Sequence, residues 1–163
     1  MPTHHFDAAD TSRFLTPFCF YVGASFDANE CQLDRFFRER IWENGFIKYL
    51  QLHPEERSSV TDQYERHMEK ISKGDILIVK RLNGKGSTTM RILAIGIVLG
   101  KNFDRTIRVA WVMQDLSLEV PLACIGTLSP VAISSLAPEL EAIVQKARVK
   151  FLRLHLKIDD HYY

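Results

Sequence analysis

Hydrophobic positions recur along this chain with two different periods, and the changes of period predict where strands and helices lie. The run FCFYVG at 18–23 is aromatic and β-branched and ends at a glycine, which is typical of a buried strand. The segment HPEERSSVTDQYERHMEKISKGD has a proline and acidic residues near its start and Lys-Gly near its end, which favours a helix. Its apolar stripe consists of Val60, Tyr64, Met68 and Ile71.

A second helix is predicted directly after the first strand. Its apolar side chains follow at helical spacing, and Asn29 stands before them as a candidate N-cap. These apolar residues are Leu33, Phe36, Phe37 and Ile41. The predicted order of elements in the first part of the chain is therefore a strand, a turn and a helix.

The middle of the chain predicts an antiparallel meander. Three strand-like runs follow one another, at 75–82, 88–100 and 106–113. The first two are joined by NGKGS, a hairpin signal with Lys85 at its tip. The next segment, 117–135, is interrupted by two prolines and fits one or two short strands.

The C-terminal segment has two interpretations. From Pro138 onward the apolar residues keep helical register and predict a helix to about residue 157. They are Leu140, Ile143, Val144, Ala147, Phe151, Leu154 and Ile158. Within 149–158, however, Leu152, Leu154, Leu156 and Ile158 also alternate with polar residues as a half-exposed strand would. The helix accounts for more residues.

Length and charge bound the classes of protein. A chain of 163 residues, 46% of them hydrophobic, suits one core, so we expect an arm at 1–16, a single domain at 17–135 and the terminal helix at 136–163. The net charge of +1 gives no global attraction to nucleic acid or membranes. Without a membrane-length apolar run or a secretory pattern, a cytoplasmic protein is expected. Three cysteines without Cys-x-x-Cys spacing predict neither disulfides nor zinc.

The most specific motifs are FYVGASF at 20–26 and IWENG at 41–45, separated by the predicted helix with Gln32, Arg35 and Phe36. Together they resemble the EVE-like, PUA-superfamily domain at the N-terminus of some McrB-type restriction ATPases. The resemblance continues in order through GDILIVK, MRILAIGIVLG and RVAW, and it covers roughly residues 18–112.

The resemblance implies an α+β fold: a small, strongly curved mixed or antiparallel β-barrel with helices packed outside. Relatives in the wider group hold a flipped or single-stranded base in an aromatic pocket. Here its two walls would be Ala24 to Phe26 and Trp42 to Gly45. The sequence departs from the family's pattern at Phe26, where tryptophan is expected, at Arg40, where glycine is usual, and in the shortened loop LNGKGSTT.

These residue types can bind a base without a reaction, because stacking and edge hydrogen bonds offset the cost of extracting it. Trp42 would stack, Phe26 or Tyr21 would close the sandwich, and Asn44 or Ser25 would read the base edge. Trp111 is a secondary candidate for the pocket, with core packing as its alternative role. The competing interpretation makes Trp42 a core residue at a helix end and Glu43-Asn44-Gly45 an ordinary helix stop with a left-handed glycine.

The C-terminal helix offers a second candidate surface. Lys146, Lys150, Arg153 and Lys157 would align on one helical face, either for phosphate contacts or as an ordinary solvated face. Val149, Leu152 and Leu156 form a second apolar row on the same helix, which predicts a partner chain or self-association.

Catalysis is not expected. The six histidines form no metal-binding pattern, GASF lacks the second glycine of a nucleophile elbow, and GKGST lacks the spacing of a phosphate-binding loop. No metal and no cofactor are implied. Asp75 is interpreted as a turn residue that accepts backbone hydrogen bonds.

The leading hypothesis is therefore a non-catalytic reader of a modified or flipped base, with DNA as the expected partner, that signals to a separate effector protein in restriction or anti-phage defence. A second hypothesis is a protein-interaction subunit that kept the barrel and lost the ligand. A third is an RNA-binding PUA-like domain, which differs by a preference for the 2′-hydroxyl.

Overall fold

One mixed β-sheet organises the part of the chain that the computed structural model describes, residues 17–26 and 30–155. Its seven strands are β1 (Cys19–Gly23), β4 (Ile41–Trp42), β5 (Ile76–Leu82), β6 (Thr89–Lys101), β7 (Ile107–Met113), β8 (Leu118–Pro121) and β9 (Leu128–Val131). A separate two-stranded antiparallel sheet pairs β2 (Ser25–Phe26) with β3 (Glu30–Cys31). The α-helices are α1 (Leu33–Glu39), α2 (Gly45–Leu52), α3 (Ser59–Lys70) and α4 (Pro138–His155), with short 3-10 turns at Pro54–Glu56 and Ile133–Ser135. The α+β class is confirmed.

The strands lie in the order β4-β7-β6-β5-β1-β9, and β8 pairs with β6 beside this path. Strand β1 runs parallel to β5 and antiparallel to β9. Strands β5, β6 and β7 form the predicted antiparallel meander. The segment 117–135 contributes the two short strands β8 and β9, one of the two outcomes expected there.

The long strand β6 has two irregularities in its pairing with β7. Its pairing shifts register between Ile95 and Gly96, and again between Val98 and Gly100. A Cβ at Gly96 would lie 2.3 Å from Cγ1 of Val109 and 2.8 Å from Cε3 of Trp111. Only glycine permits this approach, so Gly96 lets the β7 side chains fold over β6.

Two hydrophobic clusters cover the two faces of the sheet, because side chains alternate along each strand. In β1, Cys19 and Tyr21 belong to the first cluster, whereas Phe20 and Val22 belong to the second. Helix α4 covers the first cluster with Leu140, Val144, Ala147 and Phe151. Helices α1 and α3 cover the second.

Helix α3 confirms the predicted helix but begins later than expected, at Ser59, because the proline and acidic residues assigned to its start form the separate 3-10 turn Pro54–Glu56. A capping box of Ser58 and Thr61 starts the helix, and Lys101 Nζ donates to the carbonyls of Met68 and Glu69 at its end, 2.8 and 3.0 Å away. Asp75 has the role predicted for it: its carboxylate accepts hydrogen bonds from the backbone N–H groups of Phe18 and Ser72, at 3.0 and 2.8 Å.

The segment between α1 and α2 corrects the sequence prediction. Helix α1 ends at Glu39, and Arg40 takes a left-handed conformation (φ 57°, ψ 44°). The predicted helical register through Ile41 is wrong, because Ile41 and Trp42 form strand β4 against β7. The N-cap of α1 is Gln32, so Asn29 does not hold that position; Asn29 itself lies outside the described residues.

The interpretation of Glu43-Asn44-Gly45 as a helix stop is also wrong. Asn44 is the N-cap of α2, and its Oδ1 accepts the backbone N–H of Phe46 at 3.0 Å. Gly45 does not have the left-handed backbone expected of it. The motif therefore starts a helix that the sequence analysis did not predict.

Helix α4 decides between the two interpretations of the C-terminal segment as far as His155. The strand alternative is wrong for 149–155, where the chain is helical. Leu154, which was expected to face inward, is exposed. Residues 156–163, with Leu156, Lys157 and Ile158, and the expected arm at 1–16 lie outside the described residues.

Candidate binding grooves

The predicted base pocket does not form as one cavity, because three of its six residues are buried. The relative exposure of Trp42 is 0% and that of Asn44 is 2%, and Tyr21 is buried as well. Trp42 Nε1 donates to the carbonyl of Gly23 at 2.9 Å, which ties β4 to the end of β1. Trp42 is therefore part of the core and does not line an open wall.

Tyr21 faces away from Trp42. Strand alternation places Tyr21 in the first hydrophobic cluster and Trp42 in the second, on opposite faces of the sheet. Burial is the main cause that raises the pKa of the Tyr21 phenol to about 12. The expectation that Tyr21 closes a sandwich with Trp42 is wrong for this reason.

Asn44 keeps one unusual feature. Its Oδ1 caps α2, but Nδ2 is buried and has no hydrogen-bond partner among the described residues. A buried donor without an acceptor costs about 1–3 kcal/mol. Asn44 directly precedes Gly45, which lines the groove described next.

Ser25 and Phe26, the other wall of the predicted pocket, line an open groove between β2 and α2. We call it the aromatic groove; its volume is about 470 Å³. Its lining residues are Ser25, Phe26, Glu30, Gly45, Phe46, Tyr49 and Leu52. Apart from Glu30, the side chains in this set are uncharged, so the groove suits a neutral, flat or apolar group.

Two residues of α1 contact the Phe26 ring. It meets Phe36 edge-on at a centroid distance of 6.2 Å, and the Arg35 guanidinium lies 5.6 Å from its centroid. Arg35 is itself held by Glu43, with Nη2 donating to Oε2 at 2.6 Å. A Cβ at Gly45 would lie 2.6 Å from Cδ1 of Phe26, so this wall requires glycine.

The opposite wall consists of residues that the sequence analysis missed. Phe46, Tyr49 and Leu52 are 50%, 45% and 74% exposed, and they recur every three residues along α2. This spacing was the available signal, but it was hidden once Glu43-Asn44-Gly45 was interpreted as the end of a helix.

Trp111 lies in a different groove, beside strand β7, which we call the edge groove. Its volume is about 340 Å³. Its lining residues are Phe37, Arg40, Leu99, Val109, Ala110, Trp111, Val112, Gln114, Lys150, Phe151, Leu154 and His155. Trp111 Nε1 donates to the carbonyl of Phe36 at 3.0 Å, and Phe37 meets its ring edge-on at 5.4 Å. Trp111 is partly buried and does not share a cavity with Phe26.

The predicted basic face of α4 is present within the described residues. Lys146, Lys150 and Arg153 line one shallow groove of about 530 Å³, the helix-face groove, together with Ala142, Gln145, Val149 and Leu154. Lys150 Nζ donates to the carbonyl of Val112 at 3.3 Å. The fourth predicted contact, Lys157, lies outside the described residues.

The second apolar row predicted on α4 is not continuous. Val149 is exposed, but Leu152 packs partly buried against the first hydrophobic cluster. Leu154, which was not assigned to that row, is the exposed apolar residue beside Val149. The outward face of α4 is therefore a mixture of cationic and apolar side chains.

Two further features concern the ranges 17–26 and 30–155 as a whole. No helix there is long and apolar enough to cross a membrane. These ranges also contain no group of three or more His, Cys, Asp or Glu side chains placed to hold a metal ion.

Comparison with known proteins gives no match, whether to protein-family models, to curated proteins or to solved structures. The three grooves are therefore the observations from which a function is inferred.

Proposed function

We propose that the protein is a non-catalytic nucleic-acid reader that holds a single flipped or modified base in the aromatic groove. The observation that supports this proposal is the open groove of about 470 Å³ between the Phe26 ring and the exposed rings of Phe46 and Tyr49. It lies beside the position that the resemblance implied, and α2 supplies the wall that was assigned to Trp42.

The residues of the groove offer the interactions that a base needs. Stacking of a base on an aromatic side chain contributes about 1–3 kcal/mol. The Ser25 hydroxyl and the Glu30 carboxylate are polar groups in the lining that can pair with a base edge. A methyl substituent buried against the rings would add roughly 0.8 kcal/mol, or about fourfold in affinity.

The remaining parts of the proposal rest on the resemblance. We infer that the irregular strands β5, β6 and β7 belong to a curved, PUA-like barrel; the register shifts at Val79/Lys80 and along β6 support this, because bulges bend strands. The reader would act in the cytoplasm, in restriction or anti-phage defence, and would signal to a separate effector protein.

Binding assays with labelled oligonucleotides test the proposal. Fluorescence anisotropy would compare DNA and RNA strands that carry unmodified or methylated cytosine and adenine. Phe46→Ala and Tyr49→Ala should each weaken binding about tenfold and remove discrimination between bases. Phe103→Ala is the matched control, because Phe103 is fully exposed and lines none of the three grooves. Equal binding by all four proteins would contradict the proposal, and a preference for RNA would favour the RNA-binding alternative.

A protein-interaction subunit is the second candidate, and the exposure of Phe46, Tyr49 and Leu52 on one helix is the observation that favours it. Contiguous exposed apolar residues mark partner surfaces on many proteins. In this case the protein would have no affinity for any oligonucleotide at low salt. It would instead form a stable hetero-complex that Tyr49→Ala disrupts and Phe103→Ala does not.

A further inference from the structure

We infer that the edge groove and the helix-face groove together bind the backbone of a single-stranded nucleic acid, with one base stacked on Trp111. This inference involves the same class of partner as the proposed function. It rests on other residues, however, and it stands even if the aromatic groove binds something else.

The two grooves form one continuous surface. Lys150 and Leu154 line both of them, so the outward face of α4 leads directly to the edge of β7. The Lys150 side chain also joins the two elements, because its Nζ donates to the carbonyl of Val112 on β7. A strand that follows α4 would therefore reach Trp111 without crossing another element.

Charge on this surface has one sign. The basic side chains of this surface are Arg40, Lys146, Lys150 and Arg153. Among the described residues that line the two grooves there is no aspartate or glutamate. In a chain with 21 basic and 20 acidic side chains, this is a local concentration of positive charge. Such a surface is complementary to a phosphate backbone.

Aromatic side chains beside the cations indicate a single strand. Trp111 is partly exposed, and its hydrogen bond to the Phe36 carbonyl and its contact with Phe37 fix the ring. Bases in a duplex are stacked on one another, so only an unpaired strand offers a base face to this ring. The combination of cationic groove and aromatic platform is how proteins bind single strands with little sequence preference.

This surface is separate from the aromatic groove. Helix α4 packs on the first hydrophobic cluster and Phe26 packs against the second. Trp111 also packs against the second cluster, but it lines the edge groove and not the aromatic groove. A reader with both sites would hold the strand on one surface and test a base on the other. Because no described residue lines both sites, each site can be altered independently.

The test uses the two tryptophans as reporters. Short unmodified thymidine and uridine oligonucleotides would be titrated into the full chain while intrinsic fluorescence is recorded. Trp42 is buried and Trp111 is partly exposed, so stacking should quench Trp111. Trp111→Phe should abolish the quenching, and Phe103→Ala should leave it unchanged, because Phe103 is exposed and lines neither groove. The relative affinities for the two oligonucleotides show whether the surface prefers single-stranded DNA or single-stranded RNA.

Salt dependence tests the cations. The double variant Lys146→Gln/Arg153→Gln should reduce the slope of log affinity against log salt by about 1.4, since each phosphate contact to a single strand contributes about 0.7. Arg81→Gln/Lys85→Gln is the matched control: it removes two exposed charges that line neither groove. Arg40→Gly removes a third cation. Its backbone is left-handed and favours glycine, so a lower affinity of this variant would not reflect unfolding.

Absence of binding to both oligonucleotides at low salt would overturn the inference. It would also be overturned by an equal salt slope in the two double variants, or by quenching that persists in Trp111→Phe. Duplex DNA that binds as tightly as the single strand, without quenching, would refute the stacking of a base on Trp111. If the quenching and salt-dependence results are as expected but the aromatic groove shows no discrimination between bases, the proposed function alone would be refuted.

Discussion

Replacing Arg40 with glycine should make the protein more stable. Arg40 ends α1 with φ 57° and ψ 44°, and its backbone N–H donates to the carbonyl of Phe36. A left-handed conformation costs an L-residue about 1–2 kcal/mol, because Cβ crowds the following carbonyl oxygen. Glycine adopts this conformation without that cost, which is why it is common at the end of helices.

The expected gain is smaller than the full cost of strain. Glycine also makes the unfolded chain more flexible, which reduces the gain in folding free energy by roughly 0.5–1 kcal/mol. The Arg40 side chain is exposed, and its carbonyl keeps the hydrogen bond from the Val109 N–H at 2.9 Å, so the substitution removes little packing. The net change is therefore about 0.5–1 kcal/mol of added stability, or about 1–4 °C in Tm for a chain of this size.

Urea denaturation and thermal unfolding would measure the difference against two controls. Arg40→Ala removes the guanidinium but keeps Cβ and the strain, so it should leave stability nearly unchanged. Arg38→Gly places glycine inside α1 and should cost about 1 kcal/mol. If Arg40→Gly is no more stable than Arg40→Ala, the left-handed strain assigned to Arg40 is refuted.

Three further predictions concern Cys19, Lys80 and Gly45. In the native protein iodoacetamide should label exposed Cys31 but not Cys19, because burial raises the pKa of the Cys19 thiol to about 12. Mass spectrometry would measure the labelling, and equal labelling of the two cysteines would contradict this prediction. Burial lowers the pKa of Lys80, so the unfolded chain binds its proton more tightly, and stability should rise with pH from the lowered pKa towards 10.5. Lys80→Met should remove that rise in pH-dependent urea titrations. Gly45→Ala should displace the Phe26 ring, cost about 1–3 kcal/mol and abolish base discrimination, whereas unchanged discrimination would show that the ring does not form the site.

The sheet could be predicted from sequence to the extent that its strands carry their own signals. Continuous or alternating apolar runs marked β1, β5, β6 and β7, and Asn83-Gly84 marked the hairpin. The parallel pairing of β1 with β5 carries no local signal, because Cys19 opposes Ile76 across most of the first half of the chain. Such partners are chosen by packing on both faces of the sheet, which a single sequence does not display.

The candidate site was predicted only in part, and the reason lies at Arg40. Leu33, Phe36 and Phe37 on α1 and Ile41 on β4 all pack with the second hydrophobic cluster, so the apolar spacing runs on past the end of the helix. An arginine gives no warning of a left-handed turn, since this conformation is usual for glycine or asparagine. The prediction therefore carried α1 too far and missed β4 and α2, which supplies half of the aromatic groove.

The roles of the two tryptophans follow from the length of strand β4. Both indole groups donate to a backbone carbonyl, Trp42 to Gly23 and Trp111 to Phe36, so hydrogen bonding does not distinguish them. Strand β4 has two residues and pairs with β7 only at 107–108. Trp42 therefore lies inside the sheet and the core, whereas Trp111 lies beyond the end of β4, where the edge of β7 faces α4. The left-handed turn at Arg40 that starts this short strand thus also sets where the edge groove opens, and Arg40 itself lines that groove.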